Sequence, residues 1–163
     1  MDNNSAISEK FVKLVDVMKR LRAPDGCPWD REQDFMSLRR YIVEEAYELI
    51  QAIEDGNVPN ICEECGDLML QVVFISCVAE ELDQFTIENV LDGITNKLIR
   101  RHPHVFGDVK AENSEEVLRN WEKIKSAERK DKEEDSSYMA GIPRGMPALL
   151  RAYRIQERAA KPG

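Results

Sequence analysis

The sequence is short of the residues that build tight turns, cross-links and zinc sites: 8 glycines, 7 prolines, 4 cysteines and 2 histidines in 163 residues. So few Gly and Pro leave little turn chemistry for a chain of many short strands, and no segment shows strand alternation or a two-residue hairpin signal. Cys27, Cys62, Cys65 and Cys77 sit in or beside apolar helical stretches and are too few for a disulfide framework, which favours reduced thiols. One alternative stays open, in which Cys62 and Cys65 join His102 and His104 around zinc, although there is no second CxxC. No apolar run reaches membrane-spanning length, and the N-terminal MDNNSAISEKF has no basic region followed by an apolar core. Neither export nor insertion is signalled, so a cytoplasmic protein without a membrane partner is expected. Positive charge is also scarce, with 23 Lys and Arg against 31 Asp and Glu and a net charge of -8. That balance argues against a nucleic-acid or membrane-surface binder, whose affinity comes from basic clusters that release counterions. A polyanionic substrate would need a metal bridge.

What is present is helical periodicity. With 42% apolar and 33% charged residues, the chain suits a soluble helical protein, and its length suits one compact domain. Ile7, Phe11, Leu14, Val15, Met18 and Leu21 predict an amphipathic helix over about 7–22. The loop APDGCPWD follows, with Asp30 and Gln33 spaced to cap the next helix reciprocally. A second helix is predicted over about 38–54, ended by the turn-rich DGNVPN, and a third over about 61–82, apolar nearly all round and hence central. Thr86 opens a fourth helix with Val90, Leu91, Ile94 and Leu98 inward, ending in Lys97, Arg100 and Arg101 before HPHVFGD. Asn113 with Glu116 caps a fifth, carrying Val117, Leu118, Trp121 and Ile124. The fold class is all-α, a helical bundle around an antiparallel helix hairpin. The expected divisions are a domain over 1–130, a charged linker over 131–141 around RKDKEEDSS, and a connecting helix over 142–163.

Two matched acidic sets dominate the hairpin: Glu44, Glu45 and Glu48, then Glu63, Glu64 and Asp67. At 100° per residue Glu45 lies within the apolar arc of Leu38, Tyr41, Ile42, Leu49, Ala52 and Ile53; Glu48 lies at its edge and Glu44 outside. Glu64 lines up with Leu68, Gln71, Ile75, Val78 and Leu82, with Asp67 beside it. Measured from the DGNVPN turn, Glu48 and Asp67 fall at the same height of about 10 Å, flanked by Glu45 and Glu64. Buried anions neutralise, pair or bind a cation, and bundles build divalent-metal sites from acids on facing helices. Carboxylates without adjacent histidine favour a hard ion such as Mg²⁺ or Mn²⁺. The competing reading makes Glu63 and Glu64 ordinary first-turn acids and Glu44 and Glu48 a solvated face; it does not cover the inward angles of Glu45 and Glu64.

GCPWD, the EExxE and ExxD pair, GDLMLQVVF, KxxRRHPHVF and AENSEEVLRNWEKIK occur in this order and closely resemble the MazG family of nucleoside triphosphate pyrophosphohydrolases. The likeness runs from about Phe11 through IPRGMPALLRA. It implies an all-α, Mg²⁺-dependent enzyme that cleaves nucleoside triphosphates to monophosphate and pyrophosphate, with a housekeeping role in the nucleotide pool. The resemblance places the metal ligands on Glu45, Glu48, Glu64 and Asp67, the phosphate-contacting cations on Lys97, Arg100 and Arg101, and the nucleobase-proximal aromatic on Trp121. From the residues alone, the three cations read rather as charges easing a helix C-terminus, and Trp121 as a core aromatic on the Val117 and Ile124 stripe. Trp29, Asp30, His102 and His104 read as loop-fixing and capping groups. Glu44, outside the ligand set, is the candidate for orienting or deprotonating the attacking water. One stacking Trp accepts any base, so broad specificity is expected. The long apolar third helix has few helices to cover it, so a homodimer or higher homo-oligomer completing the bundle is expected. Relatives often carry two such domains in tandem, and this chain matches the first with its linker and part of a connecting helix. The competing function is a non-catalytic module that binds metal and nucleotide, or an oligomerisation unit.

Overall fold

The computed structural model describes residues 3–131 and 141–160. Among them are α1 (Asn3–Arg22), α2 (Pro28–Glu32), α3 (Phe35–Glu54), α4 (Val58–Glu81), α5 (Ile87–Arg101), α6 (Pro103–Phe106), α7 (Ser114–Asp131) and α8 (Ala148–Ala159), with no strand. The all-α expectation holds. The chain divides into two compact units, one ending at Ile94 and one beginning at Thr95, so the boundary falls inside α5. The charged linker expected over 131–141 lies outside the described residues except for Asp131 and Gly141.

In the first unit α3 and α4 form the antiparallel hairpin, with α1 packed on α4 and α2 beside α1. The core joins Met18 of α1, Leu38 of α3, and Val73, Phe74, Cys77 and Val78 of α4, with Phe11, Leu14, Phe35 and Tyr41 packed around them. α4 supplies most of these residues, as expected of a helix apolar nearly all round. The turn between the helices is tight because Gly56 adopts φ +66°, a left-handed conformation that a side chain disfavours.

Three local expectations are corrected. The cap ahead of α3 is Asp34 with Ser37, not Asp30 with Gln33: the Asp34 carboxylate accepts from the Ser37 backbone N–H, and the Ser37 hydroxyl accepts from the Asp34 N–H. Asp30 is inside α2, and the Gln33 amide donates to the Trp29 carbonyl. α4 begins at Val58, three residues earlier than predicted, because Asn57 caps it and Pro59 sits in its first turn, where a missing N–H costs nothing. Leu91, Ile94 and Leu98 of α5, read as inward, are 43%, 45% and 48% exposed, as periodicity fixes which residues share a face and not what covers that face. The caps at Thr86 with Asn89 and at Asn113 with Glu116 are formed.

In the second unit, α7 carries Trp121, Lys125 and Glu128 at i, i+4 and i+7, one face of the helix. No helix among the described residues is long and apolar enough to cross a membrane.

Candidate functional site

The earlier start of α4 resets the register of the acidic seam. Counted from the facing helix ends, Glu48 and Glu64 are each six residues in, about 9 Å, and Glu45 and Asp67 nine residues in, about 13.5 Å. Glu48 therefore faces Glu64, and Asp67 belongs one rung deeper with Glu45. Consistent with that ladder, Glu45, Glu48 and Glu64 each offer a carboxylate oxygen within 4.8 Å of the others, a grouping that does not include Asp67. Asp67 is still close enough to act on both Glu45 and Glu64.

Among the described residues the seam has no cationic partner. The Glu45 carboxyl is pushed above the ordinary 4.5 by desolvation first, then by Asp67, Glu48, Glu64 and Glu44. That of Glu64 is raised by desolvation, then by Glu48 and Asp67. Glu64 Oε2 is buried with no hydrogen-bond donor. Glu45 and Glu64 are half-buried while Glu44 and Glu48 are exposed, so the inner pair carries the cost. Clustered carboxylates on a partly desolvated seam need protons or a cation, and an all-oxygen donor set fits a hard divalent ion. Among the described residues no other group of His, Cys, Asp and Glu forms a comparable cluster. Cys62 and Cys65 are exposed and all four thiols are free of disulfides, and among the described residues neither cysteine joins a group of converging ligand atoms.

In the second unit, the three cations read as phosphate contacts are not equivalent. Arg101 Nη2 donates to Glu128 Oε2 at 2.5 Å and Arg100 Nη2 lies 2.6 Å from Glu128 Oε1. The Arg101 guanidinium also sits 5.1 Å from the Trp121 ring centroid, and Lys125 Nζ 5.0 Å from it. Lys97 is exposed and has no ion pair among the described residues. Glu128 was not singled out in the sequence; its place one turn past Lys125 on the Trp121 face is the only local sign of it.

Both arginines donate to Glu128, holding its carboxyl down at about 2. The stability this contributes is present above 4.5 and is lost as pH falls from 4.5 towards 2. Glu128→Gln is therefore expected to destabilise the protein at pH 7 by about 1–2 kcal/mol, with the difference from wild type vanishing in that acid window. Urea denaturation across pH checks it; a constant difference at all pH values would contradict the pairing.

The remaining singled-out residues act locally. Trp29 makes an edge-on contact with Tyr41, ring centroids 5.8 Å apart, fixing α2 on α3. The Asp30 carbonyl accepts from Arg22. His102 Nδ1 lies 2.7 Å from the Leu98 carbonyl, and its ring is 5.6 Å from that of His104. Arg22, which periodicity did not single out, ties several elements together: Nε and Nη2 pair with Glu81 at 2.6 Å, and Nη1 donates to the Asp30 and Gln33 carbonyls.

Residues 33–106 match the family model described as the MazG nucleotide pyrophosphohydrolase domain. The chain is 47% identical over 152 residues to the nucleoside triphosphate pyrophosphohydrolase of Escherichia coli K12, covering 93% of this chain and 57% of that protein. It is 47% identical over 153 residues to the nucleoside triphosphate pyrophosphohydrolase/pyrophosphatase MazG of Thermotoga maritima, covering 94% of this chain and 58% of that protein. The uncharacterized protein YabN of Bacillus subtilis is 44% identical over 148 residues, 91% of this chain and 30% of that protein. The chain thus spans between 30% and 58% of the length of these relatives. Among solved structures, a MazG-related protein from Thermotoga maritima superposes with a TM-score of 0.59 at 24% identity, covering 69% of this chain and 96% of that one, a likeness of fold.

Proposed function

We propose that the chain hydrolyses nucleoside triphosphates to nucleoside monophosphate and pyrophosphate, a reading supported by the match of residues 33–106 to the MazG nucleotide pyrophosphohydrolase domain model and by the likeness to relatives named for that activity. The observation that carries the reading is the unpaired seam, where oxygens of Glu45, Glu48 and Glu64 converge within 4.8 Å and Glu64 Oε2 is buried without a donor. These three, with Asp67 one rung deeper, would hold Mg²⁺, or Mn²⁺ in its place. The ion supplies charge neutralisation for the triphosphate and activation of the attacking water. Glu44, exposed on the same helix, orients that water or takes its proton. The water oxygen bonds to the α-phosphorus as the bond from that phosphorus to the bridging oxygen breaks, and pyrophosphate leaves with the electron pair.

Lys97, Arg100 and Arg101 supply positive charge to the phosphates, and Trp121 a stacking face for the base. Their pairing divides the roles: Lys97 is available, whereas Arg101 is engaged by Glu128 and Trp121. A single stacking aromatic gives broad base specificity. Self-association, as a homodimer or higher homo-oligomer, is supported by two exposed apolar stripes, Met36, Val43, Tyr47 and Ile50 on α3 and Val58, Met69 and Val72 on α4.

The test is pyrophosphate release from each common nucleoside triphosphate with Mg²⁺. Wild type is expected to turn over several bases, and Lys97→Ala to raise KM about tenfold or more with an unchanged melting temperature. Because the chain spans only part of its relatives, a non-catalytic module is the competing reading: tight metal-dependent nucleotide binding with no pyrophosphate release would establish it instead.

A further inference from the structure

Glu64, Asp67 and Gln71 stand at i, i+3 and i+7 on α4, a stripe about 60° wide. Continuing the count from the helix ends, Glu48 with Glu64 and Glu45 with Asp67 are followed by Tyr41 with Gln71, about 6 Å beyond Asp67 along the axis. Gln71 is thus the next polar rung of the seam, at the end where the core begins. It is 7% exposed, and its Oε1 is buried with no hydrogen-bond donor. The Tyr41 hydroxyl opposite accepts from Arg40.

A buried amide oxygen without a donor is costly, and an apolar side chain of the same length would fill the position without that cost. Glu64 Oε2 on the same stripe is a second buried acceptor in the same state. Two orphan acceptors on one stripe, with a carboxylate between them, have a common remedy in a cation and the water it carries. Small hard divalent ions keep several of their waters, and groups that bond to those waters set the orientation of the site.

We propose that Gln71 is a positioning residue of the metal site, its Oε1 accepting a hydrogen bond from a water in the hydration shell of the ion held by the acidic seam. This rests on the seam being a cation site. Gln71 would fix the shell from the closed end, while the carboxylates bind from the open one.

The experiment is calorimetric titration with Mn²⁺ alone, no nucleotide present, on wild type, Gln71→Met, Gln71→Leu and Gln71→Glu, with thermal melts of each in chelator. Gln71→Met and Gln71→Leu are expected to bind Mn²⁺ at least about tenfold more weakly while melting in chelator at or above the wild-type temperature. Gln71→Glu, which keeps an acceptor, is expected to retain binding. Wild-type affinity in either apolar variant overturns the role of Gln71 and leaves the metal site standing. Weakened binding matched by a lower melting temperature in chelator makes Gln71 a packing residue and also overturns it. A wild type that takes up no Mn²⁺ overturns the seam as a cation site, and this role with it.

Discussion

Glu64→Gln is expected to reduce pyrophosphate release by at least about a thousandfold, since a bound ion contributes several kcal/mol of transition-state stabilisation and each 1.4 kcal/mol is about a factor of ten. The same change is expected to stabilise the protein in chelator. The carboxyls of Glu45 and Glu64 are raised above 4.5, so between the ordinary and the raised values the metal-free folded chain holds protons that the unfolded chain has released. The sign follows: the cluster costs nothing below the ordinary glutamate value, and metal-free stability falls as pH rises through the raised folded values. Glutamine keeps the shape and removes the charge. In chelator the melting temperature of Glu64→Gln should exceed that of wild type at pH 7.5, by a few degrees, and the two should meet near pH 4. Wild-type turnover in the variant, or a lower melting temperature across this range, would contradict the assignment. Glu45→Gln should behave alike, its carboxyl raised first by desolvation and then by Asp67 and Glu48.

The largest effect on stability alone is expected at Arg22. Its side chain is 6% exposed and spans the ends of α1, α2 and α4: a fork onto Glu81, two backbone carbonyls, and the face of Phe74 with the guanidinium carbon 5.4 Å from the ring centroid. Arg22→Ala strands both carbonyls and removes the stack, for an expected loss of about 2–3 kcal/mol, below the range for fully buried pairs because Glu81 is half-exposed. Arg22→Lys should recover less than half, since a single ammonium cannot reproduce a planar fork. Urea denaturation at neutral pH measures both. An Arg22→Ala variant within about 0.5 kcal/mol of wild type would show that the contacts are not supporting the junction.

The hairpin was legible in the sequence for simple reasons. The 3.6-residue period of α3 and α4 is strong, DGNVPN can only turn, and the inward angle of Glu45 and Glu64 follows from counting residues. The pairing of rungs was not legible, because it depends on where α4 starts. A proline one residue inside a helix reads as part of the preceding turn unless the Asn57 cap is recognised. That difference of three residues moved the partner of Glu48 from Asp67 to Glu64. The cap of α3 was misplaced for a related reason, as Asp30 and Asp34 are both followed three residues later by a side chain able to answer them. Arg22 with Glu81, and Arg101 with Glu128, are 59 and 27 residues apart, and no local pattern announces such pairs. The exposed face of α5 shows the limit of periodicity from the other side: Leu91 stands one turn after Ile87, which packs on the core, yet it stays exposed in the single chain, as do Ile94 and Leu98.

Thermal melting against Mg²⁺ concentration, without nucleotide, tests most directly whether the acids of α3 and α4 tolerate one another because an ion joins them. Wild type should gain melting temperature saturably with Mg²⁺ from a low value in chelator, and Glu45→Gln with Glu64→Gln combined should start higher and stay flat. A wild type indifferent to Mg²⁺, or a double variant that gains as much as wild type, would contradict the assignment of the seam as the metal site.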